Sequence, residues 1–446
     1  MAKNIIVSQI GARHRYTIPK TFYENNILKA LFTDSYRYTF LGKLSYLFIR
    51  LGIKKTIFKR LCLRLPQIPQ SYIKASDKPT LKLLIKKNVN TELLNEILYF
   101  TLDHFFCKHK KIINEADCIY NMYYENLGFI KYAKEQGKTI VVDIYENPVS
   151  FNFLLNEVNK YPEYSCIHGI RKQYEDRIAI REKYVSQMLQ IADYYTVPSK
   201  YVLKAMMAYP EFNPKRAFLL PYPTSIQETN YNYRPIKHKI IWVGNDPVRK
   251  GLIYCAKAAT ILKQKYTDLD FRIIGSIDNK YKDIAVFKDL NFIGTLTSSE
   301  LKEEYRTAEA YVFPTLSEGF AGTVIEAASC GCPIITTECA GTDLEAFPAI
   351  YIPIQDVNAI VDSVTSILEN SKYRDQLSLK TFQYSQALTP ETYEKRLISI
   401  LKSIYLLRCQ HYVLIKNVQD VQLVLLYVHS MQSQWKKIYM DFYILK

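Results

Sequence analysis

The stretch YVFPTLSEGFAGTVIEAASCGCPIITT, residues 311–337, decides the fold of this chain. Residues 311–313 read as a short apolar strand, a polar loop follows, a helix begins at about Gly322, and residues 333–337 read as a second apolar strand. A strand, a helix and a strand within so few residues predict a parallel crossover unit, which is almost always right-handed. Because ligands bind beyond the carboxyl ends of the strands in open parallel sheets, we expect the loop 315–323 to lie over a binding crevice.

Two carboxylates in this unit point to a ligand. Glu318 lies in the loop, just before a helix N-terminus whose free N–H groups can bind an anion. Glu326 lies inside the helix, and its neighbours in the sequence are apolar. A carboxylate in such surroundings needs a partner. The spacing leaves two alternatives open for Glu326, a buried Arg or Lys of the protein or two adjacent hydroxyl groups of a ligand.

The two glutamates are separated by seven residues, in the contexts SEGF and EAASCGCP. This pattern resembles the Glu-x7-Glu signature of the family-4 glycosyltransferases of the GT-B fold. The resemblance implies an α/β protein with two Rossmann-like parallel-sheet domains that face a central cleft. It also implies that Glu318 contacts the hydroxyl groups of a donor sugar and that Glu326 holds the ribose of the nucleotide. Ala321 departs from the family, which usually has glycine at this position. The donor-binding residues implied in this unit are Gly319, Phe320, Ala321, Gly322, Thr323 and Glu326.

The composition is that of a strongly basic globular protein. The 446 residues are 48% hydrophobic and 23% charged, and the net charge of +16 indicates an anionic partner such as a nucleotide, a phospholipid surface or a nucleic acid. Nine cysteines without a Cys-x-x-Cys pair predict reduced cysteines in a cytosolic protein. The cluster Cys330, Cys332 and Cys339 could suggest a metal, but its first two members flank the end of a helix, and we assign no metal to it. No apolar run reaches about 18 residues, so neither a signal peptide nor a membrane span is predicted.

The second domain is predicted to open with a strand at residues 239–243, followed by Gly244 and a loop that contains Arg249 and Lys250. The two cations stand at the first turn of a helix, where the helix dipole disfavours positive charge unless an anion binds there. Lysines near helix starts are also common on plain surfaces. The motif is similar to the lysine motif that binds the donor diphosphate in the same family, although Asn245 replaces the arginine found in many members. The family pattern also implies nucleotide contacts from the glycine turns after the next two strands, at Gly275, Thr295 and Leu296.

The first domain opens with an apolar strand at residues 4–10 that ends at Gly11, which we group with the donor-binding residues. The following loop carries Arg13, His14 and Arg15, where a phosphate or an acceptor could bind. A solvated basic loop is the alternative. Residues 10–36, IGARHRYTIPKTFYENNILKALFTDSY, resemble the opening of a bacterial subgroup of the same family.

A second crossover unit is predicted in the first domain, and the loop 143–148 after its strand 138–144 also faces the crevice. Asp143, Tyr145 and Glu146 are therefore candidates, with His14, for binding the acceptor. Carboxylates at strand ends also serve as helix caps, so the structural alternative stays open. Many relatives have a histidine near this place, and this loop has none.

Residues 37–64 contain eight Lys or Arg and no Asp or Glu, interleaved with Leu, Ile, Phe and Tyr. This mixture favours an amphipathic helix pair at an anionic membrane surface. The alternative is a basic outer face of the first domain.

We therefore predict an acceptor-binding domain at residues 1–223, a linker at 224–237, a nucleotide-sugar-binding domain at 238–401 and a tail of unknown role at 402–446. The predicted activity is a retaining glycosyl transfer from a nucleotide-diphosphate sugar to a glycan or lipid-linked acceptor. Such an enzyme would act in cell-envelope or surface glycan synthesis, in the cytoplasm or at the inner face of the cell membrane. Glu318, Lys250 and Arg249 are the catalytic candidates, and no cofactor, metal or nucleic acid is expected. Two alternatives are another GT-B enzyme, such as a sugar-nucleotide epimerase, and a non-catalytic binding module at a membrane surface.

Overall fold

A computed structural model describes residues 4–53, 56–85, 91–166, 169–224 and 226–416. Residues 3–396 form one compact unit that contains two parallel β-sheets. Residues 1–2 and 397–446 form the other unit, whose described part, 397–416, is helical.

The first sheet has seven parallel strands in the order β3-β2-β1-β4-β5-β6-β7. The strand order changes direction between β1 and β4, which is where parallel sheets open a crevice at their carboxyl edge. The loops after β1 and β5 therefore begin at this edge. The strands are β1 Ile5–Ser8, β2 Leu28–Thr33, β3 Ile73–Ala75, β4 Cys118–Met122, β5 Thr139–Asp143, β6 Tyr194–Val197 and β7 Ala217–Leu219.

The second sheet has six parallel strands in the order β10-β9-β8-β11-β12-β13. Its direction changes between β8 and β11, so the loops after these two strands share one crevice. The strands are β8 Lys239–Val243, β9 Asp270–Ile274, β10 Asn291–Gly294, β11 Ala310–Phe313, β12 Ile334–Thr336 and β13 Ile350–Tyr351.

Helices connect the strands of both sheets. In the first half of the chain they are α1 Thr17–Glu24, α2 Phe40–Arg50, α3 Thr56–Leu63, α4 Lys78–Ile85, α5 Thr91–Cys107, α6 Lys110–Glu115, α7 Leu127–Glu135, α8 Ser150–Lys160, α9 Ile170–Ile191 and α10 Lys200–Met206. In the second half they are α11 Leu252–Lys265, α12 Ser298–Thr307, α13 Gly322–Ser329, α14 Val357–Glu369, α15 Ser371–Ser385 and α16 Pro390–Lys416. Among the described residues, no helix combines the length and the apolar character needed to cross a bilayer.

The two sheets have separate apolar cores, and α8 belongs to the core of the second sheet although it precedes that sheet in the chain. Its residues Phe151 and Leu154 are buried in one cluster with Trp242 and Ile253. The hydroxyl of Tyr254 on α11 also donates a hydrogen bond of 2.5 Å to the buried Glu157 of α8. This helix therefore ties the first half of the chain to the second sheet.

The predicted fold of two Rossmann-like parallel-sheet domains is confirmed. The crossover predicted from residues 311–337 is the unit β11-α13-β12, whose strands pair in parallel. The helix pair predicted in residues 37–64 is α2 and α3, with residues 54–55 of that segment outside the described residues. The predicted domain limits stay predictions.

Candidate active site

A cavity of about 920 Å³ lies between the carboxyl edges of the two sheets. This volume is within the range of small-molecule sites in proteins. The residues that supply its walls come from the loops after β5, β8, β9, β10 and β11 and from helices α8 and α9.

Three charged side chains converge on one wall of the cavity. A guanidinium nitrogen of Arg249 forms an ion pair with one carboxylate oxygen of Glu318, and the ammonium nitrogen of Lys250 lies 3.8 Å from the other. That second oxygen of Glu318 is buried and accepts no hydrogen bond within the described part of the chain. Asp246 also binds Arg249, with 3.2 Å between its carboxylate and the Nε atom. The cluster combines two cations with a carboxylate oxygen that accepts no hydrogen bond within the described residues.

Local backbone geometry holds the two cations in place. Lys250 is followed by Gly251, which has a φ of +67° and at which a Cβ atom would lie 2.1 Å from the carbonyl oxygen of Pro314. Only glycine fits such a position without strain. The indole nitrogen of Trp242 donates a hydrogen bond of 3.0 Å to the backbone carbonyl of Lys250. The hydroxyl of Thr315 donates a hydrogen bond of the same length to the backbone carbonyl of Arg249. The loops after β8 and β11 are therefore joined to each other directly.

Burial and charge act in opposite directions on the two cations. Burial lowers the pKa of Lys250, and the carboxylate of Glu318 only partly offsets this. The charge of Glu326 on α13 also reaches Lys250 and favours its protonated form. For Arg249, burial opposes the charged form, but the attraction of Glu318 and Asp246 is larger and the pKa is raised. A second anion at this place would further stabilise both charges.

The donor-side glycines let the loops approach one another closely. A Cβ atom at Gly244 would lie 2.4 Å from the side chain of Lys250, and one at Gly275 would lie 1.9 Å from the carbonyl oxygen of Gly244. A Cβ atom at Gly319 would lie 1.9 Å from the carbonyl oxygen of Tyr145 in the first half of the chain. Gly319 therefore marks the point where the two halves of the cavity wall touch.

The structure brings most of the donor-side residues predicted from the sequence together. The predicted residues that line the cavity are Arg249, Lys250, Glu318, Gly244, Gly275, Thr295, Leu296, Gly319 and Thr323. The other predicted donor-side residues do not line the cavity. Gly11 lies in the loop after β1, near Arg64, and the others follow Gly319 in the β11–β12 unit: Phe320, Ala321, Gly322 and Glu326. Their roles in binding stay predictions.

The four acceptor-side candidates divide into two pairs. Tyr145 and Glu146 line the cavity, and Glu146 forms an ion pair of 2.5 Å with the buried Arg181. His14 and Asp143 lie next to them, with 3.8 Å between the Nε2 atom of His14 and the Oδ2 atom of Asp143.

Burial and the charge of Arg13 both lower the pKa of His14, to about 3, and burial has the larger effect. Burial raises the pKa of Asp143 to about 6, against hydrogen bonding to Thr196 and the charge of Arg13.

Several cavity residues were not predicted from the sequence. Phe151, Tyr174 and Arg177 on α8 and α9 line the cavity, and the hydroxyl of Tyr174 donates to Asp246 at 3.3 Å. Asp246 lies in the predicted loop before Arg249, but a carboxylate in such a loop does not by itself indicate a binding residue. The residues of α8 and α9 carry no motif, because their place in the wall depends on how these helices pack.

Within the described ranges, no group of three or more His, Cys, Asp or Glu side chains is arranged to hold a metal ion. The cysteines Cys330, Cys332 and Cys339 are buried and free. That the chemistry needs no metal stays a prediction.

Residues 237–370 match the family model of the glycosyl transferases, group 1. Among curated proteins, the D-inositol 3-phosphate glycosyltransferase of Corynebacterium urealyticum is 22% identical over 187 residues, which cover 38% of this chain and 44% of the relative. The N,N'-diacetylbacillosaminyl-diphospho-undecaprenol α-1,3-N-acetylgalactosaminyltransferase of Campylobacter jejuni is 23% identical over 187 residues, which cover 39% of this chain and 47% of the relative. The chain thus spans less than half the length of these two relatives.

Among solved structures, the sucrose-phosphate synthase of Thermosynechococcus elongatus superposes with a TM-score of 0.61 at 15% sequence identity. The superposition covers 90% of this chain and 99% of the synthase. At this identity the similarity shows the fold alone, which is GT-B.

Proposed function

We propose that this protein transfers a sugar from a nucleotide-diphosphate sugar to an acceptor hydroxyl, with retention of the anomeric configuration and without a metal. The observation that carries the proposal is the cluster of Arg249, Lys250 and Glu318 on the wall of the cavity. The match of residues 237–370 to a glycosyl transferase family covers the whole cluster.

The cluster has the charges that this reaction needs. Charge grows on the diphosphate as the bond to the sugar breaks, and two preorganised cations stabilise that charge. A bound diphosphate would replace Glu318 as the partner of Arg249 and Lys250, which would leave the carboxylate of Glu318 to accept hydrogen bonds from the sugar. Retention follows from the resemblance to family 4, in which the acceptor attacks on the face that the diphosphate leaves.

The acceptor is proposed to be a glycan or a lipid-linked sugar, met at the inner face of the cell membrane. The Campylobacter jejuni relative is named for a diphospho-undecaprenol acceptor, which is consistent with a lipid-linked substrate. The exposed side of α2 and α3 carries both cations and large apolar side chains, which is consistent with an anionic membrane surface.

A ligand screen followed by a turnover assay tests the proposal. UDP-, GDP- and ADP-sugars are compared by thermal shift, because a ligand at about 100 times its Kd stabilises by roughly 2.7 kcal/mol. The nucleotide sugar that binds is then incubated with methyl glycosides or with water as the acceptor, and NMR of the first product reports its anomeric configuration. We expect transfer with retention. An inverted product would contradict the family-4 assignment, epimerised donor would indicate an epimerase, and binding without turnover would indicate a binding module.

A further inference from the structure

The loop after β1 contains a left-handed turn that is unusual for its residue types. His14, Arg15 and Tyr16 have φ angles of 48°, 50° and 63°, and none of them is glycine. Consecutive L-residues in this region are strained, and such strain persists where the surrounding structure enforces it, often at functional sites. The turn directs the His14 side chain towards the carboxyl end of β5, where Asp143 lies.

The side chains of His14 and Asp143 face each other but do not form a hydrogen bond. Their facing atoms, Nε2 and Oδ2, are 3.8 Å apart, which is longer than a hydrogen bond. Both atoms are buried and have no hydrogen-bond partner in the described ranges. The other oxygen of Asp143 accepts hydrogen bonds from Thr196 at 2.7 Å and from Tyr120 at 3.3 Å, so this carboxylate is held firmly. Buried polar atoms without partners are rare, and these two face each other.

A third group completes the cluster. The ring of Tyr222 lies 4.2 Å from the ring of His14, and the Tyr222 hydroxyl is also buried without a partner among the described residues. The His14 side chain as a whole is 21% exposed, so part of it can be reached from solvent. The cluster therefore contains a buried hydroxyl without a partner among the described residues, beside a histidine side chain that is partly accessible.

The cluster of His14, Asp143 and Tyr222 lies beside the loop after β11, which contains Glu318. The guanidinium of Arg13 stacks 3.5 Å above the ring of Tyr145, which lines the cavity. The ring of Tyr222 packs edge to face against the ring of Phe320, with 6.0 Å between the ring centres. Phe320 stands two residues after Glu318 in the sequence. His14 thus stands in the first half of the chain, beside the loop that is proposed to hold the donor sugar.

We propose that His14, oriented by Asp143, binds the acceptor hydroxyl; this rests on the proposed glycosyl transfer. The pair closes when the acceptor binds, with the Nε2–H group donating to Asp143 while Nδ1 accepts the hydrogen bond of the acceptor hydroxyl. During transfer, the acceptor oxygen forms a bond to the anomeric carbon and the bond from that carbon to the diphosphate oxygen breaks. The acceptor proton passes to the departing diphosphate oxygen, so the imidazole positions the hydroxyl and stays neutral. Catalytic bonds of this kind are often long before the substrate binds.

The variants His14→Asn, Asp143→Asn and the double variant test this pair. Asn tolerates the positive φ at position 14, so the turn is retained. His104→Gln, on the exposed side of α5, is the matched control. Two readouts are taken for each protein: the thermal shift with the nucleotide sugar, and nucleotide release with methyl α-D-glucopyranoside, methyl α-D-galactopyranoside or water as the acceptor.

We expect both single variants to lower nucleotide release at least tenfold while the thermal shift stays that of the wild type. The double variant should be no slower than the slower single variant, because both substitutions break one pair. Undiminished release, or effects that multiply, would overturn the role of the pair. Loss of the wild-type thermal shift itself would instead overturn the proposed function.

Spectra of ¹⁵N-histidine-labelled protein give a readout that does not depend on turnover. Adding either methyl glycoside should move the Nε2 resonance of His14 in the wild type, and should move it less in Asp143→Asn. If Asp143→Asn does not fold, Thr196→Val, which removes the hydrogen bond that holds Asp143, takes its place. An unmoved His14 resonance in the wild type would overturn the proposal.

Discussion

At the scale of single residues, we expect the proposed transfer to depend most on Lys250. Its ammonium group is buried, its pKa is lowered by that burial, and it lies 3.8 Å from Glu318 and 4.7 Å from the ring centre of Phe313. A buried cation with one partner at this distance gains strongly from a bound diphosphate.

We expect Lys250→Ala to lower turnover more than tenfold, because it removes one of the two cations that stabilise the departing diphosphate. Lys263→Ala, near the C-terminal end of helix α11, which follows Lys250, should leave turnover unchanged. Turnover of a labelled nucleotide sugar measures both. Excess EDTA should also have no effect, since protein cations would neutralise the charge. Activity that disappears with EDTA and returns with Mg²⁺ would contradict the metal-free mechanism.

The individual donor-side residues could be picked out from the sequence because each follows a predicted strand at a motif spacing. The contacts among these residues could not be predicted from the sequence. The ion pair of Arg249 with Glu318 joins two loops 69 positions apart (318 − 249), and the approach of His14 to Asp143 joins positions 129 apart (143 − 14). Such contacts depend on strand order, which no local pattern contains.

At the scale of elements, the strands predicted from the sequence agree with the structure within one or two residues at each end, including β12 with three residues. Strands β3 and β13 were not predicted. Strand β8 has the predicted bounds, and α13 begins at Gly322 as expected. Strands β3 and β13 have three and two residues, too few for a periodic pattern to appear. Strand β2 has six residues and was also not predicted.

The contact between the loops after β5 and β11 can be tested with two glycines. Gly319→Ala places a Cβ atom 1.9 Å from the carbonyl oxygen of Tyr145, whereas a Cβ atom at Gly322 meets nothing within 4 Å. We expect Gly319→Ala to lower the free energy of unfolding by about 1–3 kcal/mol, the usual cost of overpacking. Gly322→Ala should stay within about 1 kcal/mol of the wild type. Urea unfolding measures both, and equal effects would mean that the loops separate freely.

The packing of α5 against α7 carries a pH-dependent contribution to stability. The carboxylate of Asp103 accepts a hydrogen bond of 2.9 Å from the backbone N–H of Gly128, but burial dominates and raises the pKa of Asp103 from 3.8 to about 7. Between these pH values the folded state binds a proton at Asp103 that the unfolded state does not. The free energy of unfolding therefore falls as the pH rises through this window.

Asp103→Asn is neutral at every pH and can still accept the hydrogen bond from Gly128. We expect the stability of this variant relative to the wild type to rise between about pH 4 and pH 7. Urea unfolding at pH 4.5, 6 and 8 measures this difference. A difference that does not change with pH would show that Asp103 has an ordinary pKa in the folded protein.

At the scale of the whole molecule, the basic segment 37–64 has the composition of a membrane-binding surface. Lys43, Arg50, Lys59 and Arg60 are exposed, whereas Arg64 forms a 2.6 Å ion pair with Asp34. Large apolar side chains stand among the exposed cations. Among the residues of this segment whose burial is described, those with more than half of their surface exposed are Phe40 at 71%, Leu47 at 51%, Leu51 at 66% and Leu63 at 80%.

Exposed apolar side chains cost free energy in water, and the exposed cations repel one another, so an anionic bilayer would relieve both. Each cation near an anionic leaflet contributes about 1 kcal/mol, and the apolar side chains add burial in the interface. We therefore expect the protein to sediment with phosphatidylserine-containing liposomes but not with neutral ones, and to be released by salt.

Replacing Lys43, Arg50, Lys59 and Arg60 with Gln should abolish sedimentation. Replacing the exposed Lys282, Lys288, Lys372 and Lys380 with Gln removes the same charge elsewhere and should not. Equal losses in the two variants would mean that net charge alone attracts the protein, and a protein that stays in the supernatant at low salt would show that segment 37–64 is a solvated face.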